Sequence, residues 1–443
     1  MKPAVFRSPA FASLLSLSLA VTAFAQNPAP APPQSKPILL TGATLHVGDG
    51  QTVIPNGAVA FAQGRITYVG PASAFTGDRS QHEVRDVSGQ QIYPGLILAN
   101  SALGLTEIDA VRASVDEREV GSLNPNVRAL IAYNTDSDIL PTVRTNGVLT
   151  VQVTPRGGTL SGQSSIVHLD AWNWEDAQLR PDDALHLSWP ASLTRTGIVP
   201  DSIVTRRLKG REKALRELDQ LFADARAYQA APATSRPVNL RLAALDAVLA
   251  GRQTLHLHAD GAKEIVEAVR WAKKMGVPRL AIVGARDAAR VVDFLKENAV
   301  PVVLTRIHSL PRRVDDDVDQ SFRLPAVLHQ AGIPFCFSYE GDMENPGARN
   351  LPFSAGTAVA YGLPAEQAVF AMTGGAARIL GIDERLGTLA AGKDATLIVS
   401  RGDLLDMRTN ALTSAFIEGR QLDLRNRQQG LAEKYRTRYG LKQ

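Results

Sequence analysis

From residue 254 to residue 339 the chain alternates between two kinds of segment, and that alternation narrows its fold more than any other feature. The β-rich run "TLHLHAD" leads to the amphipathic pattern "AKEIVEAVRWAKKMG". Then come "PRLAIVG", "ARDAARVVDFLKENA", "PVVLT", "SFRLPAVLHQAG" and "IPFCFSY". Apolar residues recur with the helical period in the long segments, while the short ones are β-branched or aromatic runs. A strand-to-strand step of about 25 residues leaves room for a helix between strands that run the same way. The pattern therefore predicts parallel strands joined by helical crossovers, as in a (β/α)8 barrel or an open doubly wound sheet, and it does not by itself separate the two. "NLRLAALDAVLAG", with a glycine stop, precedes this region as a further helix. The stretch before it is less regular. "GVLTVQVTPRGG" reads as a strand, and "REKALRELDQLFADARAY" as a helix with Leu215, Leu218, Leu221 and Phe222 on one face.

Both ends of the chain have a different grammar. Residues 38–95 contain "ILLTGATLHV", "GAVAFAQGRITYVG" and "EVRDVSGQQIYPG", short β-type runs separated by Gly, Asn and Asp turn signals, and strands return beyond Gly387. At 443 residues and 44% hydrophobic, the chain is long enough for one large core and a second small domain. Lys2 and Arg7 precede an apolar run from Phe11 to Phe24 that ends in Ala23-Phe24-Ala25, the pattern of a secretory signal peptide cleaved after Ala25. The run is short for a membrane span and no cysteine follows it, so the expectation is a periplasmic or secreted protein without a membrane anchor. Loss of Lys2 and Arg7 lowers the formal charge from +4 to +2, which gives no reason to expect a nucleic-acid partner. The lone Cys336 has no intramolecular disulfide partner and reads as a buried core thiol.

Several segments together resemble the amidohydrolase superfamily, in its imidazolonepropionase-like or prolidase-like branch. They are "GATLHVGDG" at 42–50, "GRITYVG" at 64–70, "IYPGLI" at 92–97, "RNLPFSAGTAVAYGLPAEQAV" at 349–369 and "LGTLAAGKDATLIV" at 386–399. The last is the most specific, since Gly387, Gly392, Lys393 and Asp394 match the turn by which such chains leave the barrel. The resemblance implies a (β/α)8 TIM-type barrel with a small β-sandwich domain built from both chain ends. The expected organisation is a signal peptide at 1–25, a Pro-rich, extended and disordered linker at 26–36, and a composite β-sandwich from 37–92 and 387–424. The barrel then occupies 93–386, and a polar C-terminal helix 425–443.

The resemblance also implies one or two divalent ions at the C-terminal mouth of the barrel, where they turn water into hydroxide and polarise a carbonyl. The family's first strand ends "PGLIDAHxHxGL"; here the two histidine positions carry Asn100 and Ala102. His258 matches the fifth-strand histidine, with His256 two residues earlier on the same face. Val283, followed by Gly284, stands where the sixth strand has a histidine, and Glu340 where the eighth has an aspartate. No bridging lysine or glutamate can be assigned on the fourth strand. His256 and His258 read either as relocated ligands of one zinc or other divalent ion, completed by Glu340, Asp342 or His308, or as hydrogen-bonded polar residues of the barrel. Glu340 reads as a general base or as the partner of an arginine such as Arg349. Asn100 reads as a ligand contact or a structural amide. "PRGGTLSGQSS" lacks the end of a phosphate loop and reads as a barrel loop, and Trp172 and Trp174 read as packing beside the barrel.

Two functions follow from the resemblance. One is an exported hydrolase for C–N bonds of small-molecule amides, cyclic amides or small peptides, with an impaired or relocated metal site. The other is a metal-free pseudoenzyme that binds a ligand or partners a catalytically complete homologue. A homo-oligomer, or pairing with a related amidohydrolase, stays open.

Overall fold

The computed structural model describes residues 29–192, 200–232, 234, 236–341 and 343–441. The leader at 1–25 and Asp342 lie outside the described residues. None of the described helices is long and apolar enough to cross a membrane.

Both chain ends build one eight-stranded sheet. It contains β1 (Ile38–His46), β2 (Val53–Ala62), β3 (Arg65–Pro71), β4 (Glu83–Asp86) and β5 (Gln91–Pro94). β14 (Leu397–Ser400), β15 (Leu412–Ile417) and β16 (Arg420–Gln421) return from the far end and join it through β14, which pairs antiparallel with β5. Leu40, Leu45, Phe61, Ile92, Leu397 and Phe416 form its core, with Phe61 and Phe416 edge to face at 5.0 Å.

The barrel follows β5 directly. Its strands are β6 (Leu96–Ser101), β7 (Val148–Val153), β8 (Leu160–His168), β9 (Gln178–Ser188), β10 (Thr254–Ala259), β11 (Leu280–Gly284), β12 (Val302–Leu304) and β13 (Phe335–Phe337). They are hydrogen-bonded in chain order, and a parallel bridge between Ala99 and Ser338 brings the last strand back to the first. The Ser338 hydroxyl donates to the Ala99 carbonyl across that seam at 2.5 Å. Seven strands run the same way. β8 is antiparallel to both neighbours, so the β7–β8 connection is a hairpin and no crossover helix covers it. The turn chemistry accounts for this reversal: in "TPRGGT" both Gly157 and Gly158 have positive φ, which folds the strand back within six residues. The alternation in the sequence thus holds from β9 onward, and its irregular first half is a real departure from (β/α)8 connectivity.

Along the parallel strands the side chains divide by parity. Leu255, Leu257, Ile282, Val302 and Phe337 face the helices and pack with Phe222, Ile265, Val269 and Trp271. Ile97, Ala99, Ile166, Val283, Val303 and Cys336 form an apolar layer inside the barrel. Helix Gly374–Leu380 packs Ala376, Ala377 and Leu380 against that layer from the end where the strands begin. Cys336 is buried, and its apolar surroundings push the thiol pKa up to about 12.

Residues 29–36 have no regular secondary structure, but they are not free of the body. The Ala31 amide donates to Asp170 Oδ2 at 2.9 Å, and Gln34 donates to the Phe61 carbonyl. Asp170 also receives Arg144 at 2.6 Å and Arg420 at 3.0 Å, a buried cluster that ties the tail, the barrel and the terminal strands together. Helix Arg427–Tyr439 begins with an Asn426–Gln429 capping box and buries none of its side chains.

Gly387 has a φ of 91°, and a Cβ there would lie 2.6 Å from Ala377 Cβ and 2.9 Å from the Thr373 carbonyl oxygen. Gly392 has a similar φ of 88° but open space around it. We expect Gly387→Ala to lower the urea unfolding free energy by about 2–4 kcal/mol, because backbone strain and overpacking add. Gly392→Ala should lose only the backbone part, roughly 1–2 kcal/mol. Equal losses would show that the close approach at Gly387 is not a constraint.

Candidate functional site at the barrel mouth

The strands end in a mouth that is polar and charged. Asn100 is fully buried with a φ of +51°, a left-handed conformation that asparagine tolerates better than most residues. Its Nδ2 donates to Glu340 Oε2 at 2.8 Å, and its Oδ1 accepts from Arg156 Nη1 at 2.7 Å. Arg156 comes from the tip of the β7–β8 hairpin. Its Nη2 donates to the Asn100 carbonyl at 3.0 Å and to Glu344 Oε1 at 2.6 Å. The same Glu344 oxygen accepts the Ala102 amide at 2.8 Å.

A cation therefore already stands beside the first-strand positions, and it is a guanidinium. Burial works against its charge, but Glu344 and Glu340 outweigh that and hold the Arg156 pKa above the usual arginine value. Burial in turn raises the pKa of Glu344, with Arg156 opposing.

Below this layer a hydrogen-bonded chain runs into the barrel. The Asn100 amide donates to Gln152 Oε1 at 3.0 Å, and Gln152 Nε2 donates to Asp183 Oδ2 at 2.6 Å. Ser164 Oγ donates to Asp183 Oδ1 at 2.8 Å. Burial pushes the Asp183 pKa up to about 6, so at neutral pH it is mostly ionised and takes the only hydroxyl proton of Ser164. His186 Nε2, 2.9 Å from Ser164 Oγ, must then be the donor of that pair. This leaves His186 Nδ1 to accept from His258 Nε2, also at 2.9 Å. His256 packs edge to face on His186 at 4.9 Å, and neither of its buried ring nitrogens has a partner. Burial depresses the pKa of all three histidines, to about 3 for His256 and His258; Arg156 adds to the effect at His186 and His258, and neighbouring imidazoles at His186 and His256.

His256 and His258 thus lie in one cluster, while Glu340 is bonded to Asn100 at the rim. The partner of Glu340 is Asn100, with Arg156 close by, in place of the anticipated Arg349, whose carbonyl accepts from Asn146. His308 is exposed and bonded to Thr357. Val283 belongs to the apolar interior. Trp174 packs partly against the core and Trp172 is exposed, both in the connection after β8 at the opposite end of the barrel.

Reading the sequence missed His186, Arg156, Glu344 and Asp260. "DALHLS" repeats the apolar-His-apolar pattern of "TLHLHA", which was a usable signal for His186. Arg156 lies in "PRGGTLSGQSS", where no local pattern marks it as a site residue. Asp260, just past β10, is raised in pKa by burial against the pull of Arg286; its Oδ1 is buried without a partner.

The fold now stands beside known proteins. The family model for the amidohydrolase family matches residues 186–422, more than half of the chain. The chain belongs to the amidohydrolase family. It is similar to an amidohydrolase from Thermotoga maritima MSB8, with 22% identity and a TM-score of 0.76 over 88% of this chain and 100% of the other. It is also similar to a putative prolidase from Bifidobacterium longum, at 17% identity and a TM-score of 0.53, covering 91% and 100%. A zinc-bound adenosine deaminase from Xanthomonas campestris gives 16% and 0.52, covering 92% and 99%. These likenesses carry the fold alone. No curated protein matches.

Family membership raises the question of a metal, and the side chains of this amidohydrolase do not fit one. A divalent ion needs lone pairs from three or four ligands converging on one point. Here the His186 and His258 nitrogens share a proton at 2.9 Å, Asn100 turns its NH2 toward Glu340, and a guanidinium fills the side where first-strand ligands would stand. Among the described residues no three His, Cys, Asp or Glu side chains are grouped to hold an ion.

Arg156→Met should destabilise the protein by about 3–5 kcal/mol, since it leaves Glu344 without its cation. Arg156→Met with Glu344→Gln should recover most of that loss, and urea unfolding of both variants checks it. The histidines give a second expectation. Folded, they stay neutral down to low pH; unfolded, they take up protons around pH 6.5. Stability should be complete above that pH and fall as the pH drops from 6.5 toward 3, by at most about 1.4 kcal/mol per pH unit and histidine. Asp183 works in the opposite direction below about pH 6 and offsets roughly one histidine. His256→Asn should remove about one histidine's share of the slope measured by urea unfolding between pH 6.5 and 4.5.

Proposed function

We propose that this amidohydrolase is an exported hydrolase for C–N bonds of small amides, cyclic amides or short peptides, in which the metal site is impaired and Arg156 supplies the positive charge at the barrel mouth. The observation that carries this reading is the Arg156 guanidinium on Asn100, flanked by Glu340 and Glu344. In this scheme a carbonyl oxygen gathers negative charge next to Arg156, a preorganised cation in a site partly screened from water. Glu340 has one oxygen fixed by Asn100, while Oε1 makes no hydrogen bond among the described residues and can take a proton from an attacking water. Asp260, raised by burial and by the charge of Glu340, is suited to return a proton to the leaving amine. A guanidinium does not activate water as a metal does, so slow turnover is expected. Export rests on the leader pattern at 1–25.

A second reading is a metal-free binding protein, or a partner of a catalytically complete homologue. The observation favouring it is that both terminal nitrogens of Arg156 already hold internal acceptors, which leaves less of the guanidinium for a reacting group.

The test is metal analysis of the mature protein together with hydrolysis of a panel of dipeptides and cyclic amides. Metal-independent turnover that falls about 100-fold in Glu340→Gln would support the proposed chemistry. Stoichiometric zinc, lost in the His256→Ala, His258→Ala double variant, would overturn it in favour of a relocated metal. Binding of a panel member without turnover would favour the second reading. N-terminal sequencing of the exported protein should begin at Gln26.

A further inference from the structure

At the end of the barrel away from the mouth, the first residues of β10, β11 and β13 form the base of an open cavity of about 710 Å3. That volume lies within the range of small-molecule sites, roughly 300–1,000 Å3. Its apolar wall includes Ile333, Phe335, Phe370 and Ile379. Lys273, Arg279 and Arg378 supply the charge, and among the described residues no aspartate or glutamate lines the cavity.

The arginines of the protein are of two kinds, those held by a carboxylate and those that are not. Arg144, Arg156, Arg313, Arg385 and Arg420 each meet a carboxylate. Arg279 and Arg378 meet none among the described residues. Arg378 lies over the Phe370 ring at 5.2 Å, and Arg279 Nη2 reaches the end of the same helix that carries Arg378, at Gly381. Lys273 donates to the neutral Asn298 at 2.6 Å. Lys273, Arg279 and Arg378 therefore give the cavity a net positive lining, with no carboxylate among the described residues that line it. An anion with an apolar body would meet this positive lining and cover the aromatic wall in one step.

We propose that this cavity binds a small organic anion, its carboxylate or phosphate head between Arg279 and Arg378 and its apolar body against Phe335 and Phe370. Guanidinium groups suit either head, because both offer paired oxygens to a planar fork of donors. The site is separate from the mouth and does not depend on the chemistry proposed there.

The test is calorimetric titration of the mature protein with 1-naphthyl phosphate, with 1-naphthoate, and with the neutral 1-naphthalenemethanol. Binding of at least one anion with a Kd below about 1 mM is expected, with the alcohol bound at least tenfold more weakly. The tighter anion identifies the preferred head. Arg279→Glu and Arg378→Glu change exposed side chains and should each weaken binding about tenfold or more, with an unchanged urea midpoint confirming the fold. Glu340→Gln, at the mouth, should bind like the parent. The proposal is overturned if neither anion binds at 1 mM, if the alcohol binds equally well, if both arginine variants bind like the parent, or if binding follows the mouth variant instead.

Discussion

The arrangement at the mouth depends on one charge, the largely buried guanidinium of Arg156. A cation taken from water into a barrel must be met by carboxylate and carbonyl oxygens on several sides. Glu344, the Asn100 side chain and the Asn100 backbone meet that requirement, and each is shaped by it. Asn100 accepts the guanidinium with its carbonyl oxygen, so its amino group is the end left for Glu340. The reversal of β8 is what makes this geometry available, since a helical crossover at the same place would not turn a hairpin tip into the mouth.

The second half of the barrel was legible because its parallel strands are buried on both faces and separated by amphipathic helices, so the two periods alternate cleanly. The first half was not, because a reversed strand has the same local composition as a parallel one; only the turn "PRGG" distinguishes them. The same limit applied to the site. His258 was placed by the resemblance and His256 by strand parity from it, whereas Arg156 and Glu344 act from connecting segments whose positions depend on the closed barrel. The expectation of a disordered tether missed the acceptors offered by Asp170 and by the edge of the sheet, which no local pattern in "NPAPAPPQSKP" announces.

The changes at Asn100, Ala102, Val283 and Glu340 form a consistent set. Val283 completes an apolar layer with Ile97, Val303 and Cys336, while Ala102 leaves its backbone amide to Glu344. Restoring one histidine alone would place an imidazole against a guanidinium or in an apolar layer. The neutral trio of His186, His256 and His258 fits the same environment: burial and Arg156 both disfavour further positive charge.

The seam between Ala99 and Ser338 joins residues 239 positions apart, and the Asp170 cluster gathers Ala31, Arg144 and Arg420 from nearly the whole chain. Contacts of such long sequence separation form late, because the intervening loops must close first. During synthesis neither the barrel nor the terminal sheet can be completed until almost all of the polypeptide is available. Such a chain spends its early life open and acquires its final cooperativity only when its two ends meet.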